Sequence, residues 1–165
     1  MTIDALLSLG GNMGDRKALM DAAIERLAAL PGTRVTARSS YYRTTPDGPI
    51  AQDWFVNLAV AVRTDFDADA LAAACRTIEA DLGRDRSCEI PWGPRPIDID
   101  VIAVGNDGLM AAPGGEFDRR QFVLVPLAEI APATVIAGSS VASHASSAGR
   151  SGVEGVDWPV PPIAG

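Results

Sequence analysis

Three features of the sequence predict an α+β domain, a ferredoxin-like βαββαβ sandwich with an antiparallel sheet and packed helices. They are two stretches of helical periodicity, apolar strands flanking each of them, and turn residues between the elements. Ile3 to Leu9 is a short apolar run that breaks at Gly10-Gly11-Asn12, the pattern of a buried strand entering a turn. From Asp15 to Leu30, the residues Leu19, Ala23, Ile24, Leu27 and Leu30 recur at helical spacing, and Pro31-Gly32 ends the helix. Arg34 to Arg43 is rich in Val, Thr and Tyr and reads as a strand. Pro46-Asp47-Gly48-Pro49 then supplies a turn.

The next strand is the most regular. Trp54, Val56, Leu58, Val60 and Val62 share one face, while Phe55, Asn57, Ala59 and Ala61 take the other. Asp67 to Leu82 sets Leu71, Cys75, Ile78 and Leu82 on one helical stripe, with Gly83 as its stop. A polar, Arg-rich loop leads to Pro96, and Ile97 to Val104 reads as a strand closed by the turn Gly105-Asn106-Asp107-Gly108. Gln121 to Val125 is expected as a last strand and Pro126 to Ile130 as a short helical turn. The expected organisation is one domain over 1–137 and a Gly/Ser/Ala/Pro-rich C-terminal tail over 138–165, of which Gly138 to Gly155, 13 of 18 residues Gly, Ser or Ala, reads as linker-like and mobile.

The formal net charge of −7 argues against a general nucleic-acid binder. No apolar run approaches the ~20 residues that cross a bilayer. The first residues lack a basic segment followed by an apolar one, so the expected address is the cytoplasm, for a monomer without membrane or nucleic-acid partners. Cys75 and Cys88 form neither a Cys-x-x-Cys pair nor a disulfide framework, and Cys75 is expected in the core.

Asp98 and Asp100 carry the strongest chemical signal. Residues two apart on a strand face the same way, so Ile97-Asp98-Ile99-Asp100 puts two carboxylates together and two isoleucines on the core side. The pair repels itself unless a hard cation relieves it, and Mg2+ favours one or two carboxylates plus substrate phosphates. A bare Asp-x-Asp fits a solvated edge strand equally well. The arginines nearby, Arg84, Arg86 and Arg95, tip the reading towards a polyphosphate, because guanidinium forks hold phosphate oxygens in pairs. Singly, each of them has the profile of an exposed solubilising residue. Phe55 and Asn57 could stack on and hydrogen-bond a flat heterocycle, with Thr44 and the 46–49 loop just upstream. Gly10-Gly11-Asn12-Met13-Gly14 lacks the ending of a phosphate loop; it reads as a turn that allows close backbone packing, with Asn12 or Asp15 as helix cap.

Together these residues resemble the 6-hydroxymethyl-7,8-dihydropterin pyrophosphokinase family. The matching text comprises Leu9-Gly10-Gly11-Asn12-Met13-Gly14-Asp15-Arg16, Ser39-Ser40-Tyr41-Tyr42-Arg43-Thr44, Phe55-Val56-Asn57 and Leu82-Gly83-Arg84-Asp85-Arg86. It continues with Trp92-Gly93-Pro94-Arg95-Pro96-Ile97-Asp98-Ile99-Asp100 and Phe122-Val123-Leu124-Val125-Pro126-Leu127. The resemblance implies transfer of a diphosphate from ATP to the hydroxymethyl group of the pterin, with two Mg2+ ions held by Asp98 and Asp100. It implies a catalytic set of Arg84, Arg95, Asp98 and Asp100. Glu79, Arg84, Arg86, Trp92, Arg95, Arg119 and Arg120 would serve ATP, and Thr44, Phe55, Asn57 and Phe122 would hold the pterin.

One position departs from the family pattern. Gly114 stands where a phosphate-contacting histidine is expected, and Glu116 and Asp118 add negative charge beside it. The only histidine, His144, falls in the tail and is expected to be exposed and inert. Arg119 is the candidate replacement for the missing contact. The alternatives are a divergent paralogue that binds a pterin or acts on another pterin alcohol, and a non-catalytic ferredoxin-like interaction module.

Overall fold

The computed structural model of the chain describes residues 1–46, 48–106, 108–112, 117 and 120–163. In order, the elements are β1 (Ile3–Gly11), α1 (Arg16–Ala28), β2 (Thr33–Arg38), β3 (Tyr41–Thr44), β4 (Phe55–Thr64), α2 (Ala68–Asp81) and β5 (Asp98–Gly105). They are followed by β6 (Met110–Ala111), α3 (Gln121–Ile130), β7 (Val135–Ile136), β8 (Ser139–Ser140), α4 (Val141–Ala148) and β9 (Val153–Val156). Among the described residues the main sheet is antiparallel, in the order β6-β5-β1-β4-β3-β9, with β2 also paired to β4. Its central order β5-β1-β4-β2/β3 and the helices after β1 and β4 are the ferredoxin-like arrangement the periodicity predicts.

Alternation along β1 and β4 builds two cores. Leu7, Leu9, Val56, Leu58, Val60 and Val62 face α1 and α2, which supply Met20, Ile24, Leu27, Leu71, Cys75 and Ile78. Leu6 and Ala59 face the other way and pack with Ile102, Val123, Leu124, Leu127 and Val141, beneath α3 and α4. Asp15 caps α1 by accepting from Ala18 N, and Asp67 caps α2 in the same manner. Cys75 is a core thiol, as expected; burial pushes its pKa up to about 12, with the charge of Glu79 adding to it.

Three expectations are corrected. The strand expected over 34–43 is two strands, because Ser39 is fully buried and ties its backbone N–H to Ala59 O while its hydroxyl accepts from Ala59 N. The last strand expected over Gln121–Val125 is the start of helix α3. Its apolar run has no polar alternation to select a strand, and burial between the sheet and α4 outweighs the β propensity of its valines. Pro126 lies inside this helix. Finally, the linker-like tail is ordered structure: α4 packs on α3 within the second core, and β9 becomes the outer neighbour of β3. Trp158 meets the ring of the buried Tyr41 edge-on at 5.3 Å. His144 is accordingly part-buried, with Nε2 2.7 Å from Ile136 O and its ring edge-on to Phe117.

Candidate active site

The registers of four strands compose the floor of a cavity of about 480 Å3. Asn57 on β4 lies opposite Gly10 on β1, and Gly10 lies opposite Asp98 on β5. Two residues along β4, Phe55 pairs with Thr44; two residues the other way on β1, Ser8 pairs with Asp100. Partners across a sheet project to the same side, so the ring, the amide and both carboxylates rise from one face. Small residues, Gly10 and Ser8, separate the two groups. A Cβ on Gly10 would stand 2.2 Å from Asn57 Oδ1, so only glycine leaves that amide where it is. Phe122, from the first turn of α3, and Arg120, just before it, also line the cavity, as do Trp92 and Arg95 from the loop before β5.

At the acid end, Asp98 is held from below. Arg84 Nη1 donates to Asp98 Oδ1 at 2.8 Å and to Glu79 Oε2 at 2.9 Å, while its Nε and Nη2 reach Glu89. Glu79 Oε2 also accepts from Ile99 N at 2.8 Å, which pins the strand between the two aspartates. Arg86 Nη2 donates to Glu79 Oε1. Burial alone would lower the pKa of Arg84, but its bonds to Glu89 and Asp98 hold it above the ordinary value. The hydrogen bond from Arg84 holds Glu89 below the usual carboxylate range.

Asp100 is in the opposite state. It presents surface to the cavity yet is enclosed by protein around it, and among the described residues it has no salt-bridge partner. Desolvation, then the charges of Asp98 and Glu79, push its pKa up to about 6. Arg95 Nη1 stands 3.7 Å from Asp98 Oδ2. Two hard oxygen donors, one of them short of compensating positive charge, fit a divalent cation that takes its remaining ligands from phosphate and water. Among the described residues no group of three or more His, Cys, Asp or Glu side chains is placed to hold a metal ion, so a cation here would have this pair as its candidate protein ligands.

The flanking loops are tied together by Asn12. Its backbone N–H donates to Arg95 O and its Oδ1 accepts from Arg95 N, both at 3.0 Å. Its Nδ2 donates to Gln52 Oε1 and Asp53 O, and Gln52 Nε2 donates to Trp92 O at 2.6 Å. Asn12 thus joins three segments rather than capping α1. Trp92 adopts φ 65° and is largely exposed at the cavity rim.

Of the residues singled out in the sequence, Thr44, Phe55, Asn57, Trp92, Arg95, Asp98, Asp100, Arg120 and Phe122 line one cavity. Glu79, Arg84 and Arg86 do not reach it: Arg84 and Glu79 are buried behind Asp98, and Arg86 is spent on Glu79. Gly114, Glu116, Asp118 and Arg119 lie outside the described residues. Ser8, Gly10, Asn12, Gln52 and Thr45 were not singled out as site residues. The alternation that places Asp98 and Phe55 could have found Ser8 and Gly10, whereas the Asn12–Gln52 bond spans forty positions and leaves no local signal.

The family model of 7,8-dihydro-6-hydroxymethylpterin-pyrophosphokinase (HPPK) matches residues 6–132. The 2-amino-4-hydroxy-6-hydroxymethyldihydropteridine pyrophosphokinase of Methylorubrum extorquens is 48% identical over 157 residues, 93% of this chain and 98% of that protein. The Bacillus subtilis protein of the same name is 36% identical over 130 residues, 76% of this chain and 77% of its own length. Among solved structures, the Plasmodium falciparum HPPK-DHPS crystal structure with SDX-DHP superposes with a TM-score of 0.69. At 13% identity it speaks for the fold alone; the match covers 89% of this chain and 44% of that one.

Proposed function

We propose a division of labour within this cleft from one premise: the chain belongs to the 7,8-dihydro-6-hydroxymethylpterin-pyrophosphokinase family. It is an ATP-dependent diphosphotransferase of folate biosynthesis, passing a diphosphate to the hydroxymethyl group of 6-hydroxymethyl-7,8-dihydropterin and releasing AMP. The hydroxymethyl oxygen attacks the β-phosphorus of ATP. The bond from that phosphorus to the α,β-bridging oxygen breaks, AMP leaves with the oxygen and its electron pair, and the hydroxyl proton passes to solvent.

In this reading Phe55 and Phe122 flank the pterin ring, and Asn57 and Thr44 bond its polar edge. The Asn57 Nδ2 donates to Thr44 Oγ1 at 2.6 Å, which leaves Asn57 Oδ1 to accept from the ligand. Asp98 and Asp100 hold two Mg2+ ions, which when bound offset phosphate charge and polarise the transferred group. Arg95 and Arg120 orient the phosphates, with Arg119 taking the contact that Gly114 does not make. Trp92 and its loop close over the nucleotide and exclude water. Arg84 and Glu79 are positioning residues: they act through Asp98 and through the strand bearing it. Arg86 belongs with them, through Glu79. The cytoplasm and a monomeric state complete the proposal.

The observation that carries this reading is the shared face of Phe55, Asn57, Asp98 and Asp100, which sets a ring-binding surface beside a cation-binding pair in one cavity. The test is steady-state AMP formation from ATP and 6-hydroxymethyl-7,8-dihydropterin. AMP should appear with Mg2+ and fall roughly a thousandfold in Asp98→Asn and Asp100→Asn. Absence of AMP at saturating Mg2+, or full activity of the two variants, would reject the assignment.

A further inference from the structure

The segment whose composition suggests a loose tail touches the pterin wall from behind at several points. Gly152 O accepts the backbone N–H of Thr45 at 2.9 Å. Val153 pairs with Thr44 in the β3–β9 ladder. The side chain of Val153 is buried with Tyr42 and Val125, and Phe122 packs against that cluster. Gln121 Nε2, adjacent to Phe122, donates to Ala148 O at 2.8 Å. Thr44, Thr45 and Phe122 all line the cavity, whereas Gly152 and Val153 do not.

These contacts matter because β3 is only four residues long and pairs with β4 through Tyr42, Arg43 and Thr44. A short strand paired on one side frays readily. β9 gives it a second neighbour over all four residues, and the same segment grips the start of α3. Gly152 has φ +76°, and a Cβ there would lie 3.2 Å from Thr45 Oγ1 and 3.3 Å from Thr45 Cβ. Close approach to Thr45 therefore depends on glycine at this position.

We propose that residues 148–153 are positioning residues for the pterin, an outer brace that sets Thr44–Thr45 and Phe122 relative to each other. This rests on the pterin reading given above. The brace lies beyond the 6–132 span matched by the family model, so it is a feature of this chain's C-terminal segment.

The test uses the full chain carrying Gly152→Val or Val153→Ala, with KM for the pterin and for ATP measured separately beside the melting temperature. The pterin KM should rise about tenfold, with the ATP KM within about twofold, and Val153→Ile should restore the parent value. Should Gly152→Val not fold, Val153→Ala and Gln121→Ala carry the same comparison. A folded variant with an unchanged pterin KM, or with both KM values rising together, overturns the brace. Phe122→Ala separates this from failure of the underlying reading. If it too leaves the pterin KM unchanged, the site is wrongly assigned; if it alone raises the value, only the brace is wrong.

Discussion

Replacing Glu79 with glutamine tests whether Asp98 is held from beneath the cavity. Glu79 is 2% exposed, and its carboxylate accepts from Arg84 Nη1 at 2.9 Å, Ile99 N at 2.8 Å and Arg86 Nη2 at 2.9 Å. Glutamine keeps one acceptor oxygen and turns the other into an NH2 facing a guanidinium. An interior ion pair is lost, and a donor is set against a donor. Removing one partner of a buried pair costs ~3–5 kcal/mol. Arg84 keeps Glu89 and Asp98, which softens the loss to about 2–4 kcal/mol. At ~2–4 °C per kcal/mol for a chain of this size, E79Q should melt roughly 4–16 °C below the parent. The assay is thermal unfolding of E79Q, Arg84→Met and the double variant. Arg84→Met alone takes away the buried cation beside Glu79 and leaves it only the exposed Arg86, so the cycle should show a coupling above ~1.5 kcal/mol. In turnover, E79Q should lower kcat while leaving the pterin KM near the parent value. Melting within ~2 °C of the parent, or strict additivity in the cycle, would refute the reasoning.

Two further outcomes are expected. Gly10→Ala would push a methyl into Asn57 Oδ1, so the pterin KM should rise about tenfold or more with nucleotide binding retained; steady-state kinetics and titration with a non-hydrolysable ATP analogue check this. Asp100→Asn should make the metal-free protein more stable at pH 7–8. Burial, with Asp98 and Glu79, raises the folded-state pKa from the ordinary carboxylate value to about 6, so the group's stabilising contribution is complete below pH 4 and is lost as pH rises through 6. Melting curves of parent and variant should therefore converge near pH 4 and separate above 6, and parallel curves across that range would count against it.

The faces of β4 and β5 were legible because alternation is a local rule. Trp54 to Val62 and Ile97 to Asp100 declare their sides without reference to any other element, and the structure keeps them there. Helices α1 and α2 were equally legible from their spacing. Helix α3 was not, since Phe122 to Val125 is apolar at every position and only burial on several sides chooses helix over strand. The C-terminal segment misled for another reason. Its Gly, Ser and Ala content hides the few large residues that dock it, Val153 against Tyr42 and Trp158 against Tyr41. Arg84 shows the limit for charged residues. Its proximity to the acidic pair suggested phosphate, but the sequence could not say that Glu79 and Glu89 would take its donors.

By itself the sequence determined the ferredoxin-like order, the pairing of Asp98 with Asp100 and of Phe55 with Asn57, and the family to which these patterns point. Tertiary structure alone decided that the two pairs share one floor across Gly10, that Arg84 lies buried behind Asp98 rather than in the cavity, and that β9 backs the wall. The division follows from range. Side-chain direction on a strand is set by the two or three neighbouring peptide units, whereas hydrogen-bond partners and burial are chosen among groups that meet only when distant segments pack.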